Sequence, residues 1–475
     1  MEDKFELLEH LRIIIDNRDV KALREFCNTI EPVDFADAAN NIEDVSKLLF
    51  VFRTVESEYT AEVFTELSAE QQNRLIELFS DKQLKDLIEN TYTDDIVEFL
   101  TDMPSNLVNR VLQKADKETR RDINTILNYQ PYTAGSLMTT EYIELRGNLT
   151  VKQALDYIRE NGQDAITIYD IFIIDNKRNL VGVVGLDKLI FSDDNEEIAE
   201  IAKIEPVFVH VSTDQEEVAR LFKRYDKTTL PVLNKDNKMV GVITVDDIID
   251  VIVEEHTEDI ARMAAVAPLE KSYRESSIMS LVKSSLPWLI LLMVLGIFSS
   301  LIINKFESQI ATVIIMSSFI PLLLASAGNA GTQTASLVIR SLALNEYHKG
   351  EYRKIIGKEI KTGLLVALGL GLFTFVFIPL LFIIGIIGIV NVTQLEDLTF
   401  VKWSPNWWIS ILEISGTISI TITISIVISK FVGAILPLTA RLIKKDPALM
   451  SNPFITTISD IVTLIIYFLL IMVII

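Results

Sequence analysis

The chain has 475 residues, of which 49% are apolar and 23% charged, with 44 Lys+Arg against 65 Asp+Glu for a net charge of −21. An ordinary charged fraction joined to a mean hydropathy of +0.33 points to two unlike halves: residues 271–475 hold 15 basic and 10 acidic side chains, net +5, which leaves −26 on residues 1–270. This excludes a disordered chain, a collagen and a small secreted domain, and an acidic half repels phosphate, so nucleic acid is not an expected partner while cations are. A single cysteine, Cys27, rules out a disulfide framework within the chain and a thiolate zinc site. The amino terminus, Met-Glu-Asp-Lys-Phe-Glu, lacks an apolar signal core, so the acidic half is expected in the cytosol.

Residues 68–128 read as short amphipathic helices, with cap-type residues at Ser68, Ser80, Thr93, Ser105 and Asp116. Ser68 with Gln71 and Ser80 with Gln83 have capping-box spacing. Helices this short must stack, so a helical array is expected. A second repeat follows: LVGVVGLDKLI (180–190) matches MVGVITVDDII (239–249) at an offset of 59 residues. With helical stretches at 151–160 and 214–225, the latter opened by Thr213 and Glu216 in capping-box spacing, each copy reads as strand-helix-strand-strand-helix.

This tandem resembles a pair of CBS domains, modules that often bind adenine nucleotides. In that family a Gly-x-x-Thr-x-x-Asp pattern supplies phosphate and ribose contacts. The second copy has it as Gly241, Thr244 and Asp247, whereas the first has Gly182, Gly185 and Lys188. The resemblance implies at most one site per chain for ATP or another adenine nucleotide, and purely structural modules are the alternative.

Acids then accumulate: Asp246, Asp247, Asp250, Glu254, Glu255, Glu258 and Asp259, with a smaller cluster at Asp94, Asp95 and Glu98. Any one of them suits a solvated surface. Together they repel one another, and divalent cations would offset that repulsion.

Apolar runs long enough to span a bilayer occupy 287–303, 310–326 continuing to Arg340, 363–390, 407–429 and 453–475. Lys and Arg concentrate after the second run (Arg340, Lys349, Arg353, Lys354, Lys358, Lys361) and after the fourth (Arg441, Lys444, Lys445). The other loops carry Lys305 with Glu307, and Lys402 with Glu396 and Asp397. Five spans with the basic loops inside put the C-terminus outside. The expected setting is the plasma membrane, with lipid as a partner.

Asp460 lies within the last run, and a carboxylate at that depth is functional by default. Asn452, Thr456, Asp460, Thr463 and Tyr467 follow helical spacing and form a stripe of oxygen groups. In the second run Asn329, Gln333, Ser336 and Arg340 share a face, and Gly328 and Gly331 permit close approach or an irregular backbone. The same groups would also serve as helix–helix hydrogen bonds. Glu413, just after Trp407 and Trp408, reads as shallow, and the Ser/Thr-rich 415–429 suits helix contacts as much as a pore. Hard oxygen ligands around one carboxylate suit a divalent cation that keeps its water, of which magnesium is one. There is no Walker loop, nucleophile elbow or metalloprotease motif, so an enzyme is not expected.

PLLLASAGNAGTQTASLVIRSLA (321–343), DPALMSNPFITTISDIVTLIIY (446–467) and YQPYTAGSLMTTEY (129–142) carry a resemblance to the MgtE family of magnesium transporters and channels. The domain order it implies is an acidic helical domain (1–130), CBS domains (131–200 and 201–255), a connecting plug helix (256–280) and a five-helix membrane domain (281–475). It further implies a homodimer with the pore between subunits, Asp460 as the pore carboxylate with Asn329 and Asn452 holding hydrated magnesium, and a cytosolic magnesium sensor built from the acids. Thr463 and Ala327 stand where the family often has glycine. Transport of manganese or cobalt, and a membrane-anchored nucleotide sensor without transport, are the competing functions.

Overall fold

The computed structural model describes residues 2–474 apart from 43, 102, 270–272, 274–275, 307–313, 345, 384–406 and 451. Glu307, Glu396, Asp397, Lys402, part of the second apolar run and the end of the third therefore lie outside the described residues, as do the side chains of Trp407 and Trp408. The chain divides into two units, Met1–Val253 and Glu254–Ile475.

The first unit opens with ten short helices: α1 (Glu2–Asn17), α2 (Val20–Cys27), α3 (Pro32–Ala39), α4 (Val45–Thr54), α5 (Ser57–Thr65), α6 (Ala69–Leu78), α7 (Asp81–Glu89), α8 (Thr93–Thr101), α9 (Ser105–Lys114) and α10 (Lys117–Leu127). None is long enough to persist alone in water. The odd-numbered ones bury their stripes on the helix two positions on, α1 on α3, α3 on α5, α5 on α7 and α7 on α9, which makes the expected array. Phe64 anchors it edge-on to Phe52 and Phe99. The predicted caps divide. Ser80 and Gln83 form a full capping box and Asp116 accepts from Glu118 and Thr119. Ser68 makes no side-chain cap, and the reciprocal half of the box is absent too, since the Ser68 amide donates to Asn40 Oδ1 and Gln71 donates to the Ile42 carbonyl. Thr93 and Ser105 are the first helical residues, with Pro104 preceding the latter as cap.

The two repeats follow as β1 (Glu144–Arg146), α11 (Val151–Asn161), β2 (Asp170–Ile174), β3 (Leu180–Gly185) and α12 (Leu186–Phe191), then β5 (Val209–His210), α13 (Gln215–Tyr225), β6 (Thr229–Leu233), β7 (Met239–Thr244) and α14 (Val245–Met263), with β4 (Lys203–Ile204) between them. The sheets run β1-β2-β3-β4 and β5-β6-β7. Their first strands pair in parallel across a crossover helix, and the hairpin strands pair antiparallel. Both hairpins carry a register shift at equivalent positions, Ile173/Ile174 and Val232/Leu233, so the repeat extends to a bulge. Phe172, Ile174, Val183, Leu233, Met239 and Val242 form a core shared by the two modules. The cap of α13 is Asp214 rather than Thr213, whose hydroxyl accepts instead from the His210 amide.

The second unit contains α15 (Ile278–Lys305), a short α16 (Ile314–Ser317), α17 (Ile320–Ala343), α18 (Tyr352–Ile383), α19 (Trp407–Leu442) and α20 (Asn452–Ile474). Among the described residues four helices, α15, α18, α19 and α20, are long and apolar enough to cross a membrane. The expected second span corresponds to α17, a 24-residue helix whose Gly, Asn, Thr and Gln dilute its apolarity. It packs on α19 and α20, and α18 packs on α19.

Helix boundaries here differ from the sequence expectation. α18 begins at Tyr352, so Arg353, Lys354, Lys358, Glu359 and Lys361 belong to a helix and not to a loop. α19 runs past 429 to Leu442 and includes Lys430 and Arg441. The apolar runs end at charged residues, but a helix continues wherever its backbone hydrogen bonds do.

Candidate functional site

Asp460 sits two turns into α20. Its Oδ1 is buried and accepts no hydrogen bond from the protein, and the same holds for Asn452 Oδ1 and the hydroxyls of Ser459 and Thr463. A buried carboxylate oxygen without a donor is costly unless something else supplies positive charge. The stripe on this face is not uniform. Asn452, Thr456 and Asp460 are half-open, whereas Thr463 is fully buried and Tyr467, 1% exposed, donates to the Met316 carbonyl at 2.7 Å. The accessible part of the stripe is therefore its first two turns, and Tyr467 is a packing residue.

α17 lies against this surface as a regular helix, so its glycines serve close approach and not an irregular backbone. A Cβ on Gly328 would stand 2.8 Å from Thr456 Cγ2, and one on Gly331 would stand 3.1 Å from Ser459 Oγ. Ala327, where a glycine was the family expectation, is fully buried. Asn329 and Gln333 on the same helix are exposed, as is Arg340, and Ser336 is half-buried. Glu413 is exposed on α19. The Ser/Thr run that follows it is mostly buried: Thr417, Thr421 and Thr423 donate to carbonyls of their own helix, and Ser419 pairs with Thr374 of α18 at 3.1 Å. That run makes helix contacts.

In the first unit the start of α8 and the start of α14 bring acids together. Asp95 is pushed up to about 7 by burial first and then by Glu98, Asp247, Glu66 and Asp246. Asp94 is held well above the usual carboxylate range by burial, then by Asp247 and Asp95. Asp247 is pushed up to about 6 by burial, with Asp246 and Asp250 adding to it and a 2.7 Å hydrogen bond from Thr244 opposing it. Two members escaped the sequence. Glu66 is raised by burial and by Asp250, and Glu141 accepts from the Thr93 and Thr139 hydroxyls while its charge raises Asp94. Both stand far from the others in the chain, and only the stacking of helices brings them in. Among the described residues no three of these side chains stand close enough to hold one ion directly.

In the second unit Asp259 is pushed up to about 6 by burial, then by Asp446 and Glu255. Arg262 pairs with both Glu258 and Asp446. Asp446 also accepts from the Ala448 amide at 2.8 Å, in the turn that leads into α20. Glu254 is exposed at the middle of α14. α14 runs unbroken across position 255, where a domain boundary was expected.

Of the residues singled out for a nucleotide, Thr244 spends its hydroxyl on Asp247. Gly241 is closed by the chain's own packing, since a Cβ there would meet Met138 Sδ and the Thr139 carbonyl at 2.7 Å. Asp247 belongs to the acidic cluster as much as to any nucleotide site. Lys188 of the first copy donates to the Ile201 carbonyl.

Known proteins match the chain along its length. Residues 320–470 match the MgtE family, described as a divalent cation transporter, residues 30–132 match the MgtE intracellular N domain, and 134–193 and 198–254 match the CBS domain. The "Magnesium transporter MgtE" of Thermus thermophilus is 31% identical over 98% of both chains. The chain belongs to the MgtE family. Among solved structures, the soluble part of a magnesium transporter is 28% identical, with a TM-score of 0.50 over 53% of this chain and 99% of that one. The cytosolic domain of the Mg2+ channel MgtE in complex with ATP is 33% identical, with a TM-score of 0.49 over 51% of this chain and 99% of that one. In MgtE terms, the transporter match from 320 to 470 contains α17 through most of α20, and with them Asn329, Asn452, Thr456, Asp460 and Thr463.

Proposed function

We propose that this MgtE protein conducts magnesium across the plasma membrane through a pore at the axis of a homodimer, and that cytosolic magnesium closes it. The observation that carries the reading is Asp460: a carboxylate with a donorless buried oxygen on an apolar helix, sharing its face with the half-open Asn452 and Thr456, on a helix that packs against the one carrying the exposed Asn329. One carboxylate cannot strip a cation that dehydrates reluctantly. Amide and hydroxyl groups instead take up the ion's water shell. The relative similar along its whole length is named a magnesium transporter, which favours magnesium over manganese or cobalt. The basic residues at the ends of α17, α18 and α19 support the cytosolic placement of the N-terminal domains and an outside C-terminus.

The acids support the gate. Asp94, Asp95 and Asp247 in one unit, and Asp259 in the other, are each held above the ordinary carboxylate range, by burial first and then by acidic neighbours within the same unit, and negative charge so placed favours a counter-ion. A hydrated ion bridges carboxylates too far apart to ligate it directly. An adenine nucleotide at Thr244 and Asp247 is a secondary ligand in this reading, supported by their placement at the junction of β7 and α14, and it competes with magnesium for Asp247.

Purified full-length protein in liposomes tests the pore. Magnesium uptake is expected in wild type and is expected to fall by about 100-fold or more in Asp460→Ala at equal inserted amount, as for loss of an interaction made only by the permeating ion. Uptake unchanged in that variant removes Asp460 from the pathway, and absence of flux in wild type favours the nucleotide sensor.

A further inference from the structure

Two charged side chains lie inside the helix bundle away from the proposed ion path. Glu359 of α18 is 9% exposed and Lys430 of α19 is 4% exposed. Thr334 of α17, fully buried, stands between them. Lys430 Nζ donates to Thr334 Oγ1 at 3.0 Å, and that hydroxyl donates onward to Glu359 Oε2 at 2.9 Å, while the two charges are 3.7 Å apart. The hydroxyl's single proton and one of its two lone pairs are both used between helices. Elsewhere in this bundle Thr417 and Thr421 return their protons to carbonyls of their own helix. A buried pair of this kind is weak evidence for stability, and its attested use is to fix register.

The register it fixes is that of the pore surface. One turn before Thr334 is Gly331, and one turn beyond Lys430 is Gly433. A Cβ on Gly433 would lie 2.2 Å from the Gly331 carbonyl oxygen, so the two backbones touch there. Gly331 in turn faces Ile455 and Ser459 of α20, next to Asp460. One turn beyond Glu359, Gly363 leaves room for the Lys430 stem, whose Cδ would stand 3.3 Å from a Cβ at that position. Three helices are thus tied by charge immediately beside the crossing that seats α17 on α20.

We propose that Glu359, Thr334 and Lys430 are positioning residues for conduction: a charge-neutral clamp that sets α17 against α19 and so fixes the spacing between Asn329 and Asp460. The clamp touches no ion. It acts through the Gly331–Gly433 contact, and it rests on the pore reading given above.

The test uses full-length protein in liposomes, with flux expressed per inserted molecule and the ratio of magnesium to calcium flux as second readout. Glu359→Gln and Lys430→Met each leave one buried charge without its partner and are expected to lower magnesium flux by about 10-fold and to shift the ratio. The double variant removes both charges and is expected to recover to within about 3-fold of wild type. Thr334→Val keeps shape and both charges, and is expected to shift the ratio with a smaller loss of flux. Single variants with wild-type flux and ratio overturn the proposal. So does a double variant no better than the worse single, or a loss explained by abundance alone with Thr334→Val neutral. Asp460→Ala separates the two ideas: if it abolishes flux while Lys430→Met keeps wild-type flux and ratio, the clamp alone fails, and if it conducts normally the pore reading fails.

Discussion

The two units bury charge in opposite ways. In the first, carboxylates stand beside carboxylates: Asp94 faces Asp247 and Asp95, and Asp95 faces Glu98 and Glu66. In the second, Glu359 has Lys430 and Asp446 has Arg262, and Asp460 Oδ1 is left without a donor. A balanced charge holds parts of the protein to one another. An unbalanced one is a demand that solvent or a mobile ion must meet. By that criterion the first unit is the one proposed to respond to ions, and the helix bundle of the second is a frame around Asp460, while Asp259 beside Asp446 and Glu255 repeats in the second unit the imbalance of the first.

The sharpest way to break the comparison after Asp460 is to remove the imbalance in the soluble unit. Asp95→Asn combined with Asp247→Asn takes two mutually repelling charges from one cluster. The internal magnesium concentration that halves the current is expected to rise by about 10-fold, equivalent to roughly 1.4 kcal/mol of lost coupling. Patch recordings at graded internal magnesium measure it. Unchanged inhibition places the sensor elsewhere.

The same imbalance has a pH signature. Asp95 at about 7 and Asp247 at about 6 lie above the ordinary 3.8, so the folded unit binds more protons than the unfolded chain. The stability this contributes is complete below about pH 4 and is lost as pH rises through 6 and 7. Without divalent ions, amide hydrogen exchange in α8 and the start of α14 is expected to be slower at pH 5.5 than at 7.5, after correction for the intrinsic rate. Magnesium binds the ionised form, so its protection is expected to be larger at pH 7.5. Protection independent of both would mean that the acids are solvated and do not act together.

How much of this was legible follows the same division. The CBS repeat was readable because a strand-helix period returns at one offset, down to a shared bulge. Asp460 was readable because a charge in an apolar run stands out. Glu66 and Glu141 were not, because stacked helices create their proximity to Asp95 and Asp94. Glu359 and Lys430 were hidden by the reading that found the spans: charges were used to end the apolar runs, so charges continuing inside α18 and α19 fell into loops. Thr463 shares the helical face of Asp460, yet neighbouring helices cover it, and spacing alone carries no information about what covers a face.

The smallest effect sharpens the comparison by supplying a local standard. Ser80 Oγ accepts from the Gln83 amide at 3.3 Å, while Gln83 Oε1 accepts from the Ser80 amide at 3.1 Å. Ser80→Ala removes one half of that box on an exposed turn and is expected to destabilise the first unit by about 1 kcal/mol. Ser68→Ala, at the position with the same sequence spacing but no side-chain cap, is expected to cost only a few tenths of that. Neither change touches a charge, so neither is expected to alter magnesium inhibition or its pH dependence. Denaturant unfolding and internal-magnesium titration of the two variants therefore separate general loosening of the helical array from loss of its acids. If Ser80→Ala relaxed inhibition as far as the aspartate variants do, stability of the array, and not its unbalanced charge, would be what sets the gate.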